Sequence, residues 1–203
     1  MNFWRQLDVF DPESFERTVH VVGCGAIGSH VIDTLINTGI TRIVVYDFDD
    51  VEEHNIPNQA FLPEQVGMPK VAAMAQLAAK QGSTITTVQR RIEELTFDGP
   101  AVVILAVDCM EARKAIWESS VRYNPSVRML ETRMAAEYGI VHTIDPINPA
   151  EVQLWEDSWF PSSEAEASAC TNRAVATTAR SLAAIVVHNL IAWEAGDKPP
   201  AYT

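Results

Sequence analysis

VHVVGCGAIGSH at residues 19–30, VVYDFDDVEEHNIPNQ at 44–59 and VGMPK at 66–70 decide the fold. The first run is apolar and β-branched from Thr18 to Val22, which suits a buried strand. Gly23, Gly25 and Gly28 then form G-x-G-x-x-G. Gly23 permits a tight turn, Gly25 lets the backbone approach a phosphate, and Gly28 allows a helix to pack closely on the strand. Ser29–Thr38 reads as that helix, stopped by Gly39. Its N-terminus offers free N–H groups and the positive end of the helix dipole. Arg42–Tyr46 reads as the next strand. Asp47 closes it, nineteen positions after Gly28, where a carboxylate can accept hydrogen bonds from ribose hydroxyls. Together these features predict a nucleotide-binding βαβ unit.

The rest of the chain extends the pattern. Residues 2–16 read as a short helix or arm and 48–68 as a long connection, which Pro57 and Pro63 keep from being one helix. Pro69–Lys80 reads as a helix with proline in its first turn, Thr84–Gln89 as a strand, and Ile92–Leu95 as a short helix. Ala101–Val107 is a third buried strand with Asp108 at its carboxyl end. Ala112–Tyr123 is a helix, and Val127–Glu131 and Ile140–Ile144 are strands. Residues 146–170 lack a period and read as a mobile loop. Thr171–Trp193 reads as a long helix with apolar positions at Val175, Leu182, Ile185, Val186, Leu190 and Trp193. Alternating strands and helices predict an α/β, Rossmann-like, doubly wound and mainly parallel sheet with helices on both faces. The expected organisation is one domain over 1–203, with the loop at 146–170 and the last helix at 171–194. Ligands in such sheets bind beyond the carboxyl ends of the strands. Gly23, Asp47 and Asp108 all lie at such ends.

Composition narrows the partners. Fifteen Lys and Arg against 27 Asp and Glu give a net charge of −12, which argues against a nucleic-acid binder. The three cysteines, Cys24, Cys109 and Cys170, form no C-x-x-C pair, so neither a disulfide framework nor a four-cysteine zinc site follows. A reduced, cytoplasmic setting fits. MNFWRQLDVFDPE has no apolar signal core, and the most apolar stretch, 174–193, carries Arg180, His188 and Asn189. It reads as amphipathic, with no membrane role.

The order of polar residues after Asp47 is the decisive signal for chemistry. DFDDVEEHNIPNQ, GMPK and DCMEAR (108–113) resemble the ThiF/MoeB and ubiquitin-activating enzyme superfamily. Its members show D-x-D-x-V-x-x-x-N-x-x-R-Q, then G-x-x-K, then D-x-x-x-x-R; FWRQ at 3–6 is similar to an early R-Q element. The resemblance covers roughly residues 3–145, with a weaker match in the last helix. It implies ATP-dependent adenylation of a C-terminal carboxylate on a small β-grasp, ubiquitin-like protein or a peptide, with Mg²⁺ as cofactor and a homodimer as the working unit. By the same resemblance, Asp47 holds ribose, Lys70 holds phosphate, Asp108 binds Mg²⁺, and Asp49, Asn55 and Gln59 line the nucleotide site. Arg5 is then an arginine donated to the partner's ATP. Cys170–Thr171, after SSEAEASAC, resembles the Cys-Thr of thioester-forming members, which makes Cys170 a candidate acyl acceptor beside Arg173. Cys24 and Cys109 read as packing residues.

Each role has a plainer counterpart. Lys70 can be a solvated helix residue, Asp108 a helix cap, Asn55 and Gln59 loop residues bonding their own backbone, Arg113 a helix-surface cation, and Cys170 a packed thiol. Asn58 stands where the family carries arginine, and an amide brings no charge to a γ-phosphate; Arg5 and Arg133 are candidate replacements. Two other functions stay open: a degenerate ATP-binding subunit of a heterodimeric enzyme, and an NAD-dependent oxidoreductase, whose glycines and acid look the same but which does not call for the motifs at 49–70.

Overall fold

A computed structural model describes residues 1–135, 138–164 and 176–203. Six strands form one sheet in the order β3-β2-β1-β4-β5-β6. They are β1 Thr18–Val22, β2 Ile43–Tyr46, β3 Thr86–Val88, β4 Ala101–Leu105, β5 Val127–Ala135 and β6 Tyr138–Ile144. β1 to β5 run parallel, and β6 returns antiparallel along β5, from Ala135↔Tyr138 to Met129↔Ile144. β1 and β4 lie in the middle; β4 is buried along its whole length and β1 at all but its first residue. That is where a parallel sheet covered on both faces needs continuous apolar runs.

The helices divide between the faces as a doubly wound sheet requires. α1 (Ala26–Asn37), α2 (Lys70–Lys80) and α5 (Ala176–Glu194) pack on one face, in a core that includes Val31, Leu35, Met74, Leu182 and Val186. α3 (Met110–Ile116), a π-helical turn at Trp117–Val121 and α4 (Pro149–Asp157) cover the other, where the Trp117 and Trp155 rings meet at 4.8 Å. The fold class expected from the sequence is the one observed.

Three local expectations change. Residues 149–157 are a helix rather than part of a loop. Asn148 caps it by accepting from the Ala150 N–H at 3.1 Å, Pro149 opens it, and Val152 and Trp155 anchor it on the sheet. Ile92–Leu95 is not helical; Ile92 and Leu95 are buried as single anchors, and the Leu95 N–H donates to Ser120 Oγ. Arg113, read as a helix-surface cation, is 5% exposed. The last helix is described from Ala176, so the first residues expected of it, 171–175, lie outside the described residues, as does Cys170.

The glycines of the turn sit where contacts forbid a side chain. Gly23 has φ +95°, and a Cβ on it would meet the Ala106 carbonyl oxygen at 2.6 Å. A Cβ on Gly28 would lie 1.9 Å from the Gly23 carbonyl oxygen. Main chain, not a movable side chain, occupies that space, so α1 must lift off β1 to admit a methyl group. Gly28→Ala is therefore expected to lower unfolding free energy by about 3 kcal/mol. Gly99→Ala, exposed and with open space around it, should change it by less than about 0.5 kcal/mol. Urea titration followed by circular dichroism measures both.

Candidate nucleotide-binding site

β1 pairs with β2 on one side and β4 on the other, so successive crossovers leave β1 in opposite directions and open a crevice above its carboxyl end. The glycine turn follows β1, Asp47 follows β2, and Asp108 follows β4. Sequence positions far apart are thus gathered by topology.

Asp47 ties two of these loops together. Its Oδ2 accepts the Cys24 N–H at 2.6 Å and its Oδ1 accepts the Asp49 N–H at 2.8 Å. Each oxygen keeps a further lone pair for a ligand hydroxyl. Cys24 is fully buried beneath this carboxylate. Burial first, and then the Asp47 charge, push its thiol well above the ordinary range, with Lys70 pulling the other way. A neutral thiol there is a packing group, as expected from the sequence.

Gly25 is the N-cap of α1, and no described residue lies within 4 Å of where its Cβ would be. The N-terminus of α1 therefore faces open space, the approach an anion needs. Lys70 opens α2 beside it. Its ammonium is 2.9 Å from Asp49 Oδ2, and its N–H donates to the Asp49 carbonyl at 2.9 Å. The Lys70 side chain is 9% exposed against 49% for Asp49. The lysine is thus held in place, while its partner can give way to a competing anion.

Asn55 and Gln59 are divided between scaffold and site. Asn55 is buried and its Oδ1 accepts the Glu52 N–H at 2.9 Å, so it shapes the connection at 48–68. Gln59 Oε1 and Asn58 Oδ1 are buried without hydrogen-bond partners among the described residues. The same connection is fastened to α1, where Ala60 N–H donates to Ser29 Oγ at 3.0 Å and His30 Nε2 meets the Asn58 carbonyl at 3.2 Å.

Asp108 is exposed and accepts no hydrogen bond from any described residue. The cap position of α3 belongs to Cys109, with no side-chain cap bond, so the carboxylate is not used up as a helix cap. Two flanking devices fix its surroundings. On one side, Glu111 accepts from the Ser162 N–H at 2.8 Å, from Ser162 Oγ and from the Cys109 thiol, and these bonds hold its carboxyl at about 2. On the other, Arg113 donates to the Val107 carbonyl, just before Asp108, and to Glu131 and the Thr132 carbonyl.

Glu131 is the hub that sequence reading missed. It is fully buried and also receives Arg133 Nε at 2.9 Å and His142 Nδ1 at 2.7 Å. Arg133 is held further by the Ser158 carbonyl at 2.7 Å, so it is not free to replace a phosphate-binding arginine. The only signal in the sequence was a carboxylate inside an apolar strand, followed two residues later by Arg133. Phe48 and Arg91 were also passed over. The Arg91 guanidinium lies 4.8 Å from the exposed Phe48 ring, at the β2–β3 edge of the crevice.

Arg5 is not brought to this crevice. Its arm is fastened at the foot of α1, where Gln6 Nε2 donates to the Thr38 carbonyl at 2.8 Å and Phe3 and Pro12 pack on Gly39. That is the opposite end of the sheet.

Residues 9–203 match the ThiF family. The chain belongs to that family. A ubiquitin-like modifier-activating enzyme 5 of Drosophila persimilis is 32% identical over 119 residues, which is 50% of this chain and 31% of that one. That of Drosophila willistoni is 43% identical over 61 residues, 30% of this chain and 15% of that one. The chain thus spans less than a third of these relatives. Among solved structures, Escherichia coli MccB with ATP superposes with a TM-score of 0.64 at 15% identity, covering 91% of this chain and 57% of MccB. PaaA superposes at 0.68 and 20% identity, covering 92% and 58%. Both confirm the fold of this ThiF-family chain.

The Glu131 cluster yields a stability prediction. Burial alone would raise the Glu131 carboxyl, but Arg113, the His142 hydrogen bond and Arg133 outweigh it and hold it at about 2. The folded state therefore binds that proton less readily than the unfolded chain. The stabilisation, about 3 kcal/mol, is present above the unfolded carboxyl's range and is lost as pH falls from about 4.5 toward 2. Glu131→Gln should lower stability at pH 7 by about 3–5 kcal/mol, because two arginines lose a buried counter-charge, and should flatten the acid limb. Urea midpoints measured between pH 7 and pH 2.5 check this.

Proposed function

We propose that the chain binds ATP in this crevice and adenylates the C-terminal carboxylate of a small ubiquitin-like protein or a peptide, working as a homodimer. The observation that carries the reading is the exposed Asp108 carboxylate at the switch point, opposite the open N-terminus of α1 and the held ammonium of Lys70. Family membership and the names of the relatives support it.

In this reading the acceptor carboxylate attacks the α-phosphorus. A C–O–P link forms, the bond to the β-phosphate breaks, and pyrophosphate leaves with the electron pair. Two anions must meet, so the site has to supply positive charge. The N–H groups at Gly25 and the α1 dipole face one phosphate, Lys70 faces the next as a point charge, and Asp47 offers its spare lone pairs to ribose. Among the described residues no three His, Cys, Asp or Glu gather as a metal cage. Asp108 alone suits Mg²⁺, which takes one or two carboxylates and shares the rest of its shell with phosphates and water. When bound, that ion neutralises phosphate charge. We extend the proposal to capture of the acyl group by Cys170 on the sequence motif alone.

An oxidoreductase would place nicotinamide here and would leave Asp108 and Lys70 without a task. Calorimetric titration separates the two. The wild-type chain is expected to bind ATP saturably in the presence of Mg²⁺ and to give no saturable binding of NADH. Asp108→Ala should remove the Mg²⁺-dependent part of the ATP affinity, about tenfold or more. Saturable NADH binding with no ATP binding would overturn the adenylation reading.

A further inference from the structure

The crevice lacks a cation at Asn58, and most described arginines near the site are engaged. Arg113 and Arg133 are locked on Glu131, Arg91 lies over Phe48, and Arg5 is at the far end of the sheet. α5 supplies a different one. Its direction follows from its contacts. Leu182 packs on Gly139 at the start of β6, Asn189 Nδ2 donates to Thr143 Oγ1 at 3.0 Å, and Glu194 takes Arg128, at the start of β5, at 2.6 Å. β6 starts at the crevice end of the sheet and runs away from it, so α5 also begins at the crevice and descends. It lies alongside α1, which does the same.

Arg180 is one turn into α5 and exposed; His30 is one turn into α1. Both therefore stand at the level of the glycine turn. The His30 ring touches the Asn58 carbonyl at 3.2 Å, and the buried Asn58 Oδ1 has no donor among the described residues. Burial lowers the His30 pKa, and the Arg180 charge lowers it further, against the Asn58 hydrogen bond and Asp33. The Arg180 charge is thus felt at this imidazole, which α1–α5 packing brings beside the start of α5, while the ring itself bonds Asn58.

We propose that Arg180 reaches across His30 and supplies to the terminal phosphates of the nucleotide the positive charge that Asn58 cannot. This rests on the ATP reading above. A helix substitutes for a loop: the family position in the 48–68 connection holds an amide, and the cation comes from α5, which is packed on α1 along its length. The guanidinium fork matches phosphate geometry where an amide does not.

Titrations with ATP in Mg²⁺, and with AMP, test the assignment on four chains: wild type, Arg180→Ala, Arg180→Lys, and Arg180→Ala combined with Asn58→Arg. Arg180→Ala is expected to weaken ATP about tenfold and to leave AMP within twofold, since AMP lacks the outer phosphates. Arg180→Lys should recover part of the loss, and adding Asn58→Arg should recover most of it. Arg180 is exposed, so the urea midpoint should be unchanged. ATP affinity within twofold of wild type in Arg180→Ala, or AMP weakened as much as ATP, would overturn the role of Arg180 and leave the ATP reading standing. A wild-type chain that binds neither nucleotide would overturn both.

Discussion

A single carboxylate holds the crevice in shape. Asp47 accepts the N–H of Cys24 from the turn after β1 and the N–H of Asp49 from the loop after β2. The strand ladder ends at Val22↔Tyr46, and the Asp47 bonds carry the connection on from the Gly23 N–H, which donates to the Tyr46 carbonyl at 2.9 Å. With the turn pinned, Gly28 can seat α1 against it, and Gly25 is left facing open space. With the second loop pinned, Asp49 holds Lys70 through both its side chain and its main-chain carbonyl. The start of α2 is thereby registered on the start of α1. Replacing the carboxylate by an amide would keep one acceptor and set a second pair of N–H groups against the backbone donors. The acid is needed for the scaffold before any ligand is considered.

The electrostatic problem is that an acidic chain, at −12, must make room for a polyanion. The solution seen here is to store cations beside weaker claims. Lys70 is held by a half-exposed aspartate, a pairing that water already screens and that a phosphate can outbid. Arg113 is treated oppositely. It is buried with Glu131 and also donates to the carbonyls of Val107 and Thr132. Such a charge cannot move to a ligand without stranding a buried carboxylate. Its contribution is to fix the end of β4, so that Asp108 emerges at one place with a free carboxylate.

What could be read from the sequence was whatever depends on near neighbours. The strands β1, β2 and β4 declare themselves as apolar runs, and the glycine turn needs only its own spacing. α4 was legible in part: Asn148-Pro149 is a cap followed by proline at the first helical position. The acidic and serine-rich stretch after it hid a helix that is held to the sheet mainly by Val152 and Trp155. Which of the two readings of Arg113 would hold was not legible, because the group that decides its burial, Glu131, is eighteen residues away and joins it only through the β4–β5 register. Arg5 was read by motif as a donor to a partner subunit's nucleotide, and within its own chain its arm is anchored by Thr38 and Gly39, partners that no motif names.

The neutrality of His30 bears on how a cation could be delivered from α5. A protonated imidazole near Arg180 would repel the guanidinium and would bring a second charge whose presence varied with pH. Burial and the Arg180 charge both disfavour that protonation, and the remaining nitrogen contact is spent on the Asn58 carbonyl. The ring then adds no charge of its own, and it carries the position of Asn58 to α1 through one hydrogen bond. A lysine or arginine in the 48–68 connection would have to be ordered on a loop at the cost of its own rotamer entropy. On α5 the backbone is already fixed by a helix whose buried residues run from Ala179 to Leu190, so less freedom is lost when a phosphate arrives. The exchange of a loop cation for a helix cation is therefore consistent with Asn58, with the burial of His30 and with the common level of α1 and α5.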